Sequence, residues 1–462
     1  MPIASVNPAT GETLETFEEL DAAGIEQRLA RAEAAFRTYR TTSFAHRAQL
    51  LRRAADLLDE DREAVARTMT EEMGKPLTAA RAEAAKCAKA MRWYAENAEA
   101  LLADEHPDPA DVADAGAARA YVRYRPIGAV LAVMPWNFPF WQVIRFAAPA
   151  LMAGNVGLLK HASNVPRTAV ALEELFVRAG FPEGCFQTLL IGSRAVDGVI
   201  RDRRVAAVTL TGSEPAGRVV AAAAADEVKK AVLELGGSDP FVVLPSADLD
   251  AAVRTAVTAR AQNNGQSCIA AKRFIVHADV YEPFTAAFAE AMRALKVGDP
   301  LEEATQVGPL ASRQGRDDLE ELVEDAKKHG ARVECGGRRP EGLDAGWFYE
   351  PTVLTGITPA MRIHQEETFG PVATVYRVAD LDEAVALAND TPFGLSSNVW
   401  TDDPAEQERF VRDIEAGGVF FNGMTASHPA LPFGGVKRSG FGRELSGHGI
   451  KEFCNVTTVW VA

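Results

Sequence analysis

Ala129-Val130-Leu131-Ala132-Val133, Val156-Gly157-Leu158-Leu159-Lys160 and Ala206-Ala207-Val208-Thr209-Leu210 are three short apolar runs separated by helical patterns. A helix end falls near Pro149 to Ala153, and a further helix is expected over Thr168 to Ala179. Strand and helix in strict alternation predict an α/β fold built on a parallel, doubly wound sheet. Upstream, residues 22–104 repeat apolar positions at helical spacing, as in Ala45-His46-Arg47-Ala48-Gln49-Leu50-Leu51. Residues 105–118, rich in Pro, Asp and Ala, read as a surface excursion. A second alternating block runs from about Gly236 to Val419, and the alanine run 221–225 reads as helix. With 462 residues, two or three domains are expected.

Composition excludes several functions. Hydrophobic residues make up 47% and charged residues 24%, within the range of globular proteins. The net charge of −15 argues against nonspecific nucleic-acid binding and against a polybasic membrane surface. Met1-Pro2-Ile3-Ala4-Ser5 has no basic segment followed by an apolar core, so no signal peptide is expected. No uncharged apolar run reaches the roughly 18 residues that cross a bilayer. Cys87, Cys185, Cys268, Cys335 and Cys454 are scattered, without zinc-knuckle or CxxC spacing. Free thiols in a reducing cytoplasm, and no metal site, are the expectation.

One cysteine stands apart. Gln262-Asn263-Asn264-Gly265-Gln266-Ser267-Cys268 sets a thiol in a polar, glycine-bearing turn, where a structural cysteine would more often sit in an apolar stripe. A turn surrounds the sulfur with amide donors, which suits a nucleophile whose adduct carries an oxyanion. Met134-Pro135-Trp136-Asn137-Phe138-Pro139 adds a side-chain amide at Asn137, and Leu233-Glu234-Leu235-Gly236-Gly237-Ser238 adds a carboxylate at Glu234. Together they can attack a carbonyl, hold the oxyanion and activate water. Glu234 ends the apolar run Ala231-Val232-Leu233, where desolvation would raise its pKa toward that of a general base. Gly212-Ser213-Glu214-Pro215-Ala216-Gly217 follows a strand and opens a helix, offering free N–H groups to a pyrophosphate, although an ordinary turn has the same appearance.

These motifs, with Asn7-Pro8-Ala9-Thr10-Gly11 near the start and Pro432-Phe433-Gly434-Gly435-Val436-Lys437 near the end, resemble the aldehyde dehydrogenase superfamily nearly end to end. Within it the chain is most similar to the bacterial NAD(P)-dependent succinate-semialdehyde dehydrogenases. The resemblance implies a Rossmann-like dinucleotide domain over 1–107 and 131–235, and a catalytic α/β domain over 236–430. It also implies a small β oligomerisation element over 108–130 and 440–462, with a hairpin near 108–130 joined to the C-terminal strand. A homodimer or homotetramer follows. The implied reaction oxidises succinate semialdehyde to succinate through a Cys268 thiohemiacetal and thioester, with Asn137 holding the oxyanion and Glu234 activating water. A CoA-acylating enzyme would not need Glu234.

By the same resemblance Trp136, Gly212 and Ser213 meet the cofactor, Lys160 holds the adenosine ribose, and Glu367 and Phe369 flank the nicotinamide ribose. Ser163 stands where NAD-selective relatives carry a glutamate that would repel a 2′-phosphate. A hydroxyl donates to that phosphate instead. Arg194 lies near it or in a solvated loop. NADP, or NAD, is therefore the expected cofactor. Arg145, eight residues past Asn137, matches a carboxylate-binding arginine, and Ser427 resembles a second carboxylate contact. Gln262 departs from the pattern, since many relatives carry a second arginine there. Another short aldehyde, glutarate semialdehyde or an aliphatic one, stays open for that reason. Ala270 excludes the disulfide switch of relatives with a second cysteine two residues past the nucleophile.

Overall fold

The computed structural model describes residues 3–113 and 116–462. Met1 and Pro2, on which the leader expectation partly rests, lie outside them. The helical stretch resolves into Ala22–Tyr39, Phe44–Glu60, Arg62–Met73 and Leu77–Leu101. Asp21 and Ser43 cap the first two, each side chain accepting a backbone N–H three residues on.

The three apolar runs form the centre of a six-stranded sheet in the spatial order Gly440–Phe441, Lys230–Glu234, Val205–Thr211, Ala129–Met134, Val156–His161, Phe186–Thr188. All neighbours are parallel except Gly440–Phe441, which pairs antiparallel with Leu233 and Glu234. Ala129–Met134 has its sequence successor on one side and the later Val205–Thr211 on the other. The winding reverses between those two strands, so a ligand crevice opens at their carboxyl ends. Trp141–Ala153, buried at every position, connects the two strands Ala129–Met134 and Val156–His161. It stops at Gly154, whose φ of 95° suits a residue without Cβ.

The second block forms a seven-stranded sheet ordered Arg332–Cys335, Thr352–Thr355, Val372–Val378, Arg273–His277, Pro240–Val243, Ser397–Trp400, Val419–Phe421. Only its first pair is antiparallel. Its core packs Phe241, Phe274, Phe284, Phe288 and Trp400 in one aromatic cluster.

The third element differs in its boundaries from expectation. Arg119–Pro126 pairs antiparallel with Cys454–Val461 over the full register from Pro126↔Cys454 to Arg119↔Val461. No hairpin forms among the described residues of 108–130: Pro109–Ala113 is a single helical turn, and the chain from Ala129 enters the first sheet. Residues 440–453 also stay with the dinucleotide sheet. Gly440, at φ 117°, lies so close to Leu233 that a Cβ would fall 2.0 Å from its carbonyl oxygen, and Ser446–Glu452 packs on the helices Leu77–Leu101 and Trp141–Ala153. No helix among the described residues is long and apolar enough to cross a membrane.

Candidate active site

The turn before Cys268 is shaped by three consecutive left-handed residues. Asn263, Asn264 and Gly265 have φ of 55°, 58° and 72°. Asparagine tolerates this conformation, and Gly265 is required twice, because a Cβ there would lie 2.3 Å from the Gly370 carbonyl. Asn264 donates to the carbonyls of Gly74 and Pro309 at 2.8 and 2.9 Å and accepts from the Gly308 N–H at 2.7 Å. Gln266 Oε1 accepts from the Ala311 N–H at 2.9 Å. The turn is thus pinned on several sides before it reaches Cys268, which is half-buried.

Lys272, four residues later, is fully enclosed. Its ammonium donates to the carbonyls of Ser267 and Cys268 at 2.9 and 2.8 Å and pairs with Glu367 at 3.1 Å. Glu367 also accepts the Gly237 N–H at 3.1 Å. A Cβ on Gly237 would stand 2.6 Å from the Cys268 carbonyl, which explains the glycine at the hinge between the sheets. Sequence reasoning missed Lys272. Its only signal is a lysine in the apolar Ile269-Ala270-Ala271 context.

Asn137 is buried beside this turn. Its Nδ2 donates to the Gln266 carbonyl at 3.2 Å, and its own carbonyl accepts from Asn263 Nδ2 at 2.7 Å. The amide is therefore held against the backbone that presents Cys268. Trp136, Asn137, Thr211, Gly212, Ser213, Leu235, Gly236, Cys268, Glu367 and Phe369 line one cleft of about 290 Å³ at the winding reversal. Trp136 and Phe369 meet edge to face across it, with ring centroids 5.7 Å apart. Ser213 precedes the helix Glu214–Asp226, and its hydroxyl makes no capping bond, so the first N–H groups face the cleft without an internal partner.

Lys160 and Ser163 lie at the end of the neighbouring strand. Lys160 is 8% exposed and makes no hydrogen bond or ion pair among the described residues. Burial lowers its pKa, and the Glu19 carboxylate partly offsets that. Glu19, which sequence reasoning missed, also lies against Gly192. Arg194 is exposed in a short 3₁₀ turn, Ser193–Ala195. A buried ammonium without a partner, a free helix N-terminus and an open glycine turn suit a dinucleotide phosphate.

Glu234 does not line that cleft. It is 2% exposed, and neither carboxyl oxygen has a hydrogen-bond partner. It lies against Gly434, where a Cβ would come 2.7 Å from Glu234 Oε1, so Pro432-Phe433-Gly434-Gly435 makes room for it. Burial holds its pKa well above the usual carboxylate range. Arg145 works against this shift and Glu444 reinforces it. The Cys268 thiol is likewise pushed up to about 12 by burial, with Arg145 and Lys272 opposing.

Arg145 is not an open receptor. Its guanidinium pairs with Glu444, donates to Thr211 Oγ1 at 3.3 Å and stacks 4.6 Å over the Phe433 ring. It is 2% exposed. Ser427 is also buried, and its Oγ accepts from Lys86 Nζ and Trp141 Nε1. Gln262 Nε2 is buried without a partner. Glu444 and Lys86 were missed because each meets its partners from a distant segment. Among the described residues no cluster of three or more metal-ligating side chains forms.

A cysteine in a pinned turn, lining a crevice at the winding reversal beside an amide side chain, is the arrangement expected of a cysteine-dependent aldehyde oxidoreductase. The chain matches the Aldehyde dehydrogenase family over residues 1–459 and belongs to that family. It is similar to a "Succinate-semialdehyde dehydrogenase [NADP(+)]" of Mycobacterium avium, 63% identical over all of this chain and 97% of that one. "Succinate-semialdehyde dehydrogenase [NADP(+)] 1" of Mycobacterium tuberculosis is 63% identical over the whole of both chains. Among solved structures, the succinic semialdehyde dehydrogenase of Streptococcus pyogenes in complex with NADP+ superposes with a TM-score of 0.95. It is 36% identical, covering 99% of each chain.

Proposed function

We propose that this protein oxidises succinate semialdehyde to succinate, with NADP or NAD as hydride acceptor. The observation that carries the reading is the single cleft that joins Cys268 and Asn137 to the Gly212-Ser213 turn. The Cys268 thiol gives up its proton to solvent as the sulfur adds to the aldehyde carbon, forming a C–S bond and an alkoxide. The Asn137 amide and the Cys268 N–H donate to that oxygen; losing one such donor costs about 2.7–4 kcal/mol in the transition state. A nicotinamide bound in the cleft would supply the hydride acceptor that converts the thiohemiacetal into a thioester on Cys268. Glu234 then takes a proton from water, water adds to the thioester, and the C–S bond breaks to give succinate and the thiol.

Lys160, Ser163 and Arg194 are the groups we assign to the adenosine ribose and its 2′-phosphate. Glu367 and Phe369 are assigned to the nicotinamide ribose. Glu367's bond to Lys272 couples that end of the cofactor to the nucleophile turn. For the substrate's distal carboxylate we assign Ser427, with Arg145 behind it as a positive charge balanced by Glu444. Gln262 favours a second reading, because a neutral amide replaces one of the expected cations: glutarate semialdehyde or an aliphatic aldehyde.

A cytoplasmic setting fits the five free cysteines. Homo-oligomerisation fits the exposed Val456, Trp460 and Val461 on the two-stranded sheet; light scattering tests it. For the reaction, kcat/KM over a panel of aldehydes with both cofactors is decisive. Succinate semialdehyde should exceed butyraldehyde, and equal values would remove the substrate assignment.

A further inference from the structure

We propose that Lys86 is the cation that receives the distal carboxylate of the substrate, acting with the Ser427 hydroxyl; this rests on the semialdehyde reading above. Lys86 lies on the helix Leu77–Leu101, half-buried, with its ammonium 4.1 Å over the centroid of the Trp141 ring. It donates to Ser427 Oγ at 2.7 Å, and Trp141 Nε1 donates to the same oxygen at 3.1 Å. Two N–H bonds occupy both lone pairs of that hydroxyl. Its own proton is left to donate, and no acceptor for it exists among the described residues. The cluster therefore presents donors and a positive charge with no carboxylate to satisfy them, which is the chemistry of an anion receptor.

Charge balance singles out Lys86. Lys75 pairs with Glu83, and Arg145 pairs with Glu444. No carboxylate among the described residues lies within ion-pairing distance of Lys86. Its ammonium is the surplus charge of this region. Ser427 and Phe433 line a cavity of about 230 Å³, and Arg145, whose charge acts on Lys86, Cys268 and Glu234 alike, stacks on Phe433. Trp141 and Arg145 are one helical turn apart on one face. Glu83 holds that face in place by accepting the N–H groups of Phe140 and Trp141, both at 2.9 Å. A cation here compensates for the arginine that Gln262 replaces.

The groups that act electrostatically on Lys86 are Cys87 and Glu83 on its own helix, Arg145 opposite, and Lys75 in the preceding loop. Burial brings its pKa down to about 8. Affinity for the carboxylate should therefore fall as pH rises through that value, and affinity for an uncharged aldehyde should not.

The test compares wild type, Lys86→Met and Lys86→Arg. A charge-assisted hydrogen bond is worth about 1.5–3 kcal/mol, or roughly ten- to a hundredfold. Lys86→Met should lose that factor in kcat/KM for succinate semialdehyde, chiefly through KM. Butyraldehyde should lose far less, and Lys86→Arg should retain the preference for the semialdehyde. Succinate should inhibit butyraldehyde oxidation competitively in wild type and much more weakly in Lys86→Met. Equal losses on both aldehydes, or succinate inhibition untouched by the substitution, would overturn the role of Lys86. A wild-type enzyme without preference for succinate semialdehyde would sink the substrate reading alone, because the succinate inhibition does not depend on it.

Discussion

Replacing Arg145 by methionine should destabilise the protein, and more so at higher pH. The guanidinium is the ion partner of Glu444, and both side chains are enclosed. Removing one member of a buried pair typically costs about 3–5 kcal/mol, because the other charge is left without compensation. Glu444 can escape part of that cost by taking a proton. Burial already raises its pKa, and Arg145 is the main force opposing the rise. Without Arg145 the folded-state pKa climbs further above the unfolded value, so the folded protein binds more protons than the unfolded chain. Stability then decreases with rising pH, by at most about 1.4 kcal/mol per unit, between the unfolded and folded pKa values. The loss should therefore be smaller at pH 6 than at pH 8. Thermal unfolding midpoints of wild type, Arg145→Met and Arg145→Met/Glu444→Leu across this range check the argument. The double variant, which removes both charges, should recover most of the loss and its pH dependence. A single variant that melts with wild type at every pH would refute the buried pair.

Other consequences concern the site itself. Gly434→Ala drives a methyl into Glu234 Oε1, so steady-state turnover should fall roughly a hundredfold while an initial burst of reduced cofactor survives; a burst lost in parallel would place Glu234 before thioester formation. Ser163→Glu should shift the kcat/KM ratio toward NAD by repelling the 2′-phosphate, and an unchanged ratio would locate the adenosine ribose elsewhere. With the Cys268 thiol at about 12, iodoacetamide inactivation of the free enzyme should climb about tenfold per unit from pH 7 to 10. A plateau near pH 8.5 would show an unperturbed thiol.

What the chain discloses by itself follows the range of the contacts involved. Ala129–Met134 and its neighbours were legible because a buried parallel strand is a continuous apolar run, and the ends observed differ from the reading by a residue or two. Cys268, Asn137 and the Gly212-Ser213 turn were legible because each motif is a local backbone shape with its own residue preferences. Arg145 is expected from the resemblance to meet a substrate carboxylate, but it pairs with Glu444, which lies far along the chain, and no periodicity links the two. Lys86 sits among the polar positions of an amphipathic helix, where a lysine ordinarily faces solvent. Only the approach of Trp141 and of the loop carrying Ser427 encloses it. The pairing of Gly440–Phe441 with the first sheet was not legible for a similar reason: strand composition cannot say which sheet edge a two-residue strand will join.

The central claim is that Cys268 carries the acyl group between hydride release and hydrolysis. Trapping it requires an enzyme that acylates and cannot deacylate, which Glu234→Gln should supply. Mixed with succinate semialdehyde and NADP, that variant should release close to one equivalent of reduced cofactor. Peptide mass spectrometry should then find a succinyl group on the fragment bearing Cys268. A succinyl group on another residue, or reduced cofactor formed with no protein adduct, would contradict the account.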